Sequence, residues 1–106
     1  MKPSPITALA ACLLAAAGAA QAQSDPLQVR SWAAACANCH GTNGKAVAGS
    51  GMGSLAGENK ANMLQKLTDF RNGDRPSTIM QQIAKGYTDE QIRVIAAYFA
   101  AQPAGK

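Results

Sequence analysis

The sequence predicts an all-α domain of short helices joined by glycine-rich loops. Three observations lead there. Apolar residues recur at helical spacing in several segments, each bounded by capping residues, glycine or proline. No stretch alternates apolar and polar residues for long enough to make a strand. The chain is also small and poor in bulky apolar side chains, so something besides its own residues is needed to fill its centre.

The N-terminal segment reads as separate from that domain. Lys2 supplies a short positive start, residues 6–20 are almost all apolar or small, and Ala20-Gln21-Ala22 has the form of a cleavage site. Residues 1–22 are therefore expected to be a secretory signal peptide, and residues 23–106 the domain. The apolar run is too short, and its exit too polar, for stable membrane insertion. Leu9-Ala10-Ala11-Cys12 resembles a lipoprotein box. The apolar stretch before it is short of the usual h-region, and the stretch continues past Cys12, so Cys12 is assigned to the discarded segment.

Residues 23–106 carry nine Lys/Arg and six Asp/Glu, a net charge of +3, with the basic residues scattered singly. No basic run or aromatic-interleaved patch points to nucleic acid. A mild positive field suits either solubility or docking onto an acidic protein. The aromatic residues number five: Trp32, Phe70, Tyr87, Tyr98 and Phe99.

Taken in order, Ser24-Asp25-Pro26 reads as a helix start, with Asp25 capping and Pro26 in the first turn. Val29, Trp32, Ala33 and Cys36 follow at helical spacing, and Gly41-Thr42-Asn43-Gly44 ends the helix. Residues 41–57 contain six glycines and read as an irregular loop. A loop this long is uncommon unless it serves function. Asn59 or Asn62 opens the next helix, whose apolar stripe is Met63, Leu64, Leu67 and Phe70, and Asn72-Gly73 closes it. Asp74-Arg75-Pro76 starts a short segment through Ile79, Met80 and Ile83, closed by Gly86. Thr88-Asp89-Glu90-Gln91 is a capping box opening the last helix. Ile92, Ile95, Ala96 and Phe99 form one face of that helix, and Pro103 and Gly105 stop it.

Cys36-Ala37-Asn38-Cys39-His40 carries the chemistry. Cys-x-x-Cys-His is the haem-attachment pattern. Two thiols add to the two vinyl groups on one haem edge, and the next residue turns its imidazole to the iron. His40 lies four residues after Cys36, which brings both near one face of a helix. A thioredoxin-like pair would need a βαβ context, which is absent. A structural zinc would need two further ligands, and residues 23–106 hold a single histidine and two cysteines. A plain disulfide is the remaining rival.

The second axial ligand has several candidates. His40 is the one histidine, so two imidazoles cannot serve, and methionine is the next natural donor. Met63 sits on an apolar stripe and reads as core. Met52 is close in sequence to His40 and would have to cross to the far side of the haem. Met80 follows a full intervening helix and is the preferred ligand. Met52, an open five-coordinate iron, or a merely packing Met80 stay as alternatives.

These residues resemble a class I cytochrome c: an attachment motif near the start of the domain, then a methionine-bearing segment and a C-terminal helix. A narrower resemblance lies in Arg75-Pro76-Ser77-Thr78-Ile79-Met80, Ile83-Ala84-Lys85-Gly86-Tyr87-Thr88-Asp89-Glu90 and Ile95-Ala96-Ala97-Tyr98-Phe99-Ala100. It is to the cytochrome subunits of flavocytochrome c sulfide dehydrogenases, with the last two stretches shared by cytochrome c4-type domains. The resemblance implies the class I cytochrome c fold around one covalent haem c, with Cys36 and Cys39 as thioethers and His40 and Met80 as axial ligands. It also implies that Trp32 or Ala33 packs against Tyr98 or Phe99. Members of that family usually carry a proline shortly before Leu55-Ala56-Gly57, in a stretch that supplies a carbonyl to orient the haem histidine. Here Gly53 and Ser54 stand in that place, and no residue is assigned to hold His40.

The function so implied is periplasmic electron transfer, as a subunit accepting electrons from a flavoprotein sulfide dehydrogenase. The alternatives are a freestanding shuttle serving other redox proteins and a haem-based small-ligand sensor. The chain carries no nucleophile or acid–base pair of its own and reads as a carrier, not an enzyme.

Overall fold

The computed structural model describes residues 24–104. The signal-peptide segment 1–22 with Cys12, the cleavage point before Gln23, and the stop at Gly105 lie outside the described residues. Among the described residues four helices follow in order: α1 (Pro26–His40), α2 (Lys60–Asn72), α3 (Met80–Lys85) and α4 (Asp89–Ala100). A single 3₁₀ turn (Thr42–Gly44) follows α1. Among the described residues there is no strand.

α1, α2 and α4 begin where the sequence supplies a cap. Asp25 accepts a hydrogen bond from the Leu27 amide at 2.9 Å, with Pro26 in the first turn, where its missing N–H costs nothing. Asn59, the first of the two candidate openers, accepts from the Asn62 amide at 3.1 Å and starts α2. Thr88 and Gln91 complete the capping box reciprocally, at 3.2 and 2.9 Å. At its other end α2 closes on Gly73 in the left-handed conformation.

The third segment differs from its expected start. Asp74-Arg75-Pro76 does not open a helix, and α3 begins only at Met80. Two contacts explain the delay. The Asp74 and Arg75 amides both donate to the Asp69 carbonyl, and the Arg75 guanidinium stacks 5.3 Å from the Phe70 ring centre. The chain is thus held against the end of α2 before it can turn. Ser77, two residues before the Ile79 N-cap position, then accepts from the Gln81 amide at 2.9 Å in the first turn of the short helix.

α4 is the hub: it packs on both α1 and α2, while α3 packs on α2. The core is Ala33 from α1, Met63 from α2, and Ile95, Ala96 and Phe99 from α4, all buried. Trp32 and Tyr98 are partly buried against it, so the expected meeting of the first and last helices is present. An Arg71–Asp89 ion pair ties the end of α2 to the start of α4.

Two substitutions test this layout. Phe99→Ala is expected to destabilise by about 3–5 kcal/mol, because the ring is fully buried. Thr88→Ala is expected to cost only about 1 kcal/mol, lowering the thermal midpoint by roughly 4–8 °C in a domain this small. Denaturant and thermal melts of the two variants give the comparison.

Candidate haem site

One cavity gathers the residues that the sequence singles out. α1 contributes Cys36, Cys39 and His40, and Met80 comes from the first position of α3. Met52 from the loop and Met63 from α2 line it too. The rest of the wall is mostly apolar, with Leu55, Leu67, Phe70, Ile95 and Phe99 among the contributors. The cavity opens to solvent, and its volume of about 180 Å³ is far more than a bare ion needs.

His40 is oriented by a backbone carbonyl. Its Nδ1 lies 2.6 Å from the Gly53 oxygen. A carbonyl can only accept, so Nδ1 carries the hydrogen and donates. In the neutral ring the Nε2 lone pair is then free for a metal. Sequence reasoning reached this carbonyl only as a stretch, by the resemblance around Gly53 and Ser54, and assigned no residue. No side-chain signal could have identified it, because every residue carries one.

The cysteines differ in setting. Cys36 is half-buried and Cys39 exposed, and neither is in a disulfide. Burial pushes the Cys36 thiol up, against a smaller opposing effect of a backbone hydrogen bond. Burial also raises Tyr87, helped by the charge that Cys36 would carry as a thiolate. The Tyr87 hydroxyl donates to the Trp32 carbonyl at a long 3.4 Å.

Lys66 and Glu58 stand at the cavity wall as an ion pair. They neutralise each other there, so no unpaired charge faces the apolar interior. Met52 and Ile83 are only partly covered, and Ile79 is more than half exposed.

The chemistry of this donor set fits a haem. Among the described residues, no cluster of three or more His, Cys, Asp or Glu is gathered to hold a bare metal ion. An iron that brings its own four nitrogens needs only axial donors from the protein. An imidazole and thioethers are present, in an apolar space with a thiol pair beside it.

The relatives agree with the geometry. A cytochrome c family profile matches residues 29–102. The cytochrome subunit of sulfide dehydrogenase from Chlorobaculum tepidum is 47% identical over 64 residues, covering 60% of this chain and 56% of that protein. A thiosulfate dehydrogenase electron acceptor from Stutzerimonas stutzeri is 42% identical over 72 residues, covering 68% of this chain and 33% of that protein. In three dimensions, a cytochrome c4 structure from Acidithiobacillus ferrooxidans superposes with a TM-score of 0.59 at 40% identity, covering 63% of this chain and 38% of that one. The chain spans about half or less of the length of these relatives.

The chain belongs to the cytochrome c family. Its fold is that of the class I cytochromes c, and its cofactor is a covalently bound haem c.

Gly41, directly after His40, has a φ of +85°, and a Cβ there would lie 1.8 Å from the Lys45 carbonyl oxygen. Gly41→Ala is therefore expected to abolish accumulation of haem-loaded protein. Gly53→Ala, whose Cβ would meet nothing within 4 Å, is expected to leave it near wild type. Haem staining of a denaturing gel reads both.

Tyr87 gives a pH dependence. Its folded-state pKa is raised, so the unfolded chain ionises first on the alkaline side. Its contribution to stability is full below about pH 10 and is lost as pH rises toward the folded value. In the haem-loaded protein a thioether at Cys36 carries no charge, and only the burial effect remains. Urea midpoints at about pH 9 and about pH 11 are expected to fall less in Tyr87→Phe than in wild type.

Proposed function

We propose that this chain is a periplasmic single-electron carrier whose haem c is tethered by Cys36 and Cys39 and ligated by His40 and Met80. The single observation that carries this reading is the cavity shared by these four side chains, with His40 Nδ1 engaged by Gly53 and Nε2 left free. When bound, the haem supplies reversible one-electron chemistry. The chain's own residues do the rest. Cys36 and Cys39, one helical turn apart, fix one edge. His40 and Met80 come from α1 and α3, which are separate walls of the cavity, and Leu67, Phe70 and Phe99 exclude water. A methionine thioether together with an imidazole would raise the reduction potential of the bound haem.

Met80 is preferred to Met52 because it opens a helix that α2 supports, whereas Met52 lies in a glycine-rich loop and is 41% exposed. Residues 1–22 act as the export signal in this reading, and residues 23–106 form the mature domain. No described helix is long and apolar enough to cross a membrane.

The partner we assign is a flavoprotein sulfide dehydrogenase that passes electrons to this chain. The similarity to the Chlorobaculum tepidum cytochrome subunit supports it. A second reading, a freestanding acceptor for another dehydrogenase, is favoured by the Stutzerimonas stutzeri relative, which matches a larger share of this chain.

Two measurements test the proposal. In the oxidised protein, Met80→Ala is expected to remove the weak far-red absorption of a sulfur–iron bond, and Met52→Ala to leave it. The opposite pattern refutes the Met80 assignment. Gel filtration from native periplasm is expected to show the haem co-eluting with a flavin; elution alone at monomer size decides for the freestanding carrier.

A further inference from the structure

The Gly53 carbonyl that holds His40 sits on a segment with little of its own to fix it. Apart from the His40 contact itself, the hydrogen bonds from residue 47 to residue 53 stay inside the loop: the Ser50 amide donates to the Val47 carbonyl, and the Met52 amide to the Ser50 hydroxyl. Gly49, Gly51 and Gly53 leave this stretch with high backbone freedom. The first anchors to the body come just after Gly53, and all three converge on one atom. The Ser54 hydroxyl at 2.9 Å, the Leu55 amide at 2.8 Å and the Ala56 amide at 3.1 Å all donate to the Gly44 carbonyl oxygen.

That oxygen is itself fixed. Gly44 is buried with a φ of +79°, and a Cβ there would lie 2.7 Å from the Phe99 ring. Its neighbour Asn43 is the one non-glycine residue with positive φ among those described, and it accepts from the Tyr98 hydroxyl at 2.8 Å. α4 therefore holds the 3₁₀ turn, and the turn holds the strand of chain next to Gly53. Ser54 is the one side chain in this relay that is adjacent to Gly53.

We propose that Ser54 is a positioning residue for His40: its hydroxyl, clamped on the Gly44 carbonyl, fixes the neighbouring Gly53 carbonyl against Nδ1. A hydrogen bond at Nδ1 raises the basicity of the other ring nitrogen. A firm clamp thus makes His40 a stronger donor, favours the oxidised iron and lowers the reduction potential. The inference rests on the proposed ligation by His40.

The test uses the haem-loaded protein with Ser54→Ala, Ser54→Thr and Ser54→Val. Threonine and valine share one shape, and only threonine keeps the hydroxyl. Two quantities are read: the solvent-exchange rate of the His40 Nδ1 proton by NMR, and the reduction potential. Losing one hydrogen bond of about 0.5–1.5 kcal/mol is expected to speed exchange roughly two- to tenfold in Ala and Val. The potential rises in both, and Thr restores wild-type values. Equal behaviour of Thr and Val overturns the clamp, as does no change in Ala. Failure of the ligation reading shows in the wild-type protein instead, as His40 ring protons without the paramagnetic shift of an iron ligand. That outcome removes the clamp's proposed effect on potential as well.

Discussion

The helices of this domain do not close over a complete core of their own. The buried cluster centres on Ala33, Met63, Ile95, Ala96 and Phe99, two of them alanines, and it lies to one side. Beside it, Met63, Ile95 and Phe99 also line the open apolar cavity. A chain this short has a thin core and often draws on a further staple. The haem is therefore part of the packing as much as it is the redox group. Covalent attachment follows naturally: a tethered group that fills the centre cannot be lost without opening the fold.

This constraint orders the elements. α4 carries the best-defined apolar face and a complete capping box, and both longer helices lean on it. α1 brings the attachment motif to the cavity edge within its last turn, where the helix ends at Gly41. α2 forms the far wall and supports α3. Charges stay at the margins, as pairs such as Lys66–Glu58 and Arg71–Asp89. Such pairs contribute little to stability on the surface; Lys66–Glu58 also leaves no unpaired charge at the cavity wall.

Much of this was legible in the residues. Asp25-Pro26, Asn59 and Thr88–Gln91 announce helix starts because caps act locally, through side chains the sequence names. The α4 face is readable because four apolar positions share one period. The attachment motif is readable because two thiols and an imidazole must meet one rigid ring. The start of α3 was not, because Asp69 and Phe70 on α2 hold residues 74 and 75 through tertiary contacts. The Gly53 carbonyl was reachable only as a stretch, by resemblance, and not as a residue. Backbone acceptors leave no trace in a sequence, and glycine at that place argues for freedom where the structure has a fixed contact.

The two proposed axial ligands hang from unequal supports. His40 ends a helix of 15 residues that is capped and packed on α4, whereas Met80 begins one of six residues. A helix that short has no stability of its own and borrows it from α2. Under the proposed ligation, the two sides of the iron then differ in opening free energy. Local opening would free Met80 more readily than His40. The domain thus has a built-in order of failure, in which the coordination sphere loosens from one direction while the tether and its helix stay in place.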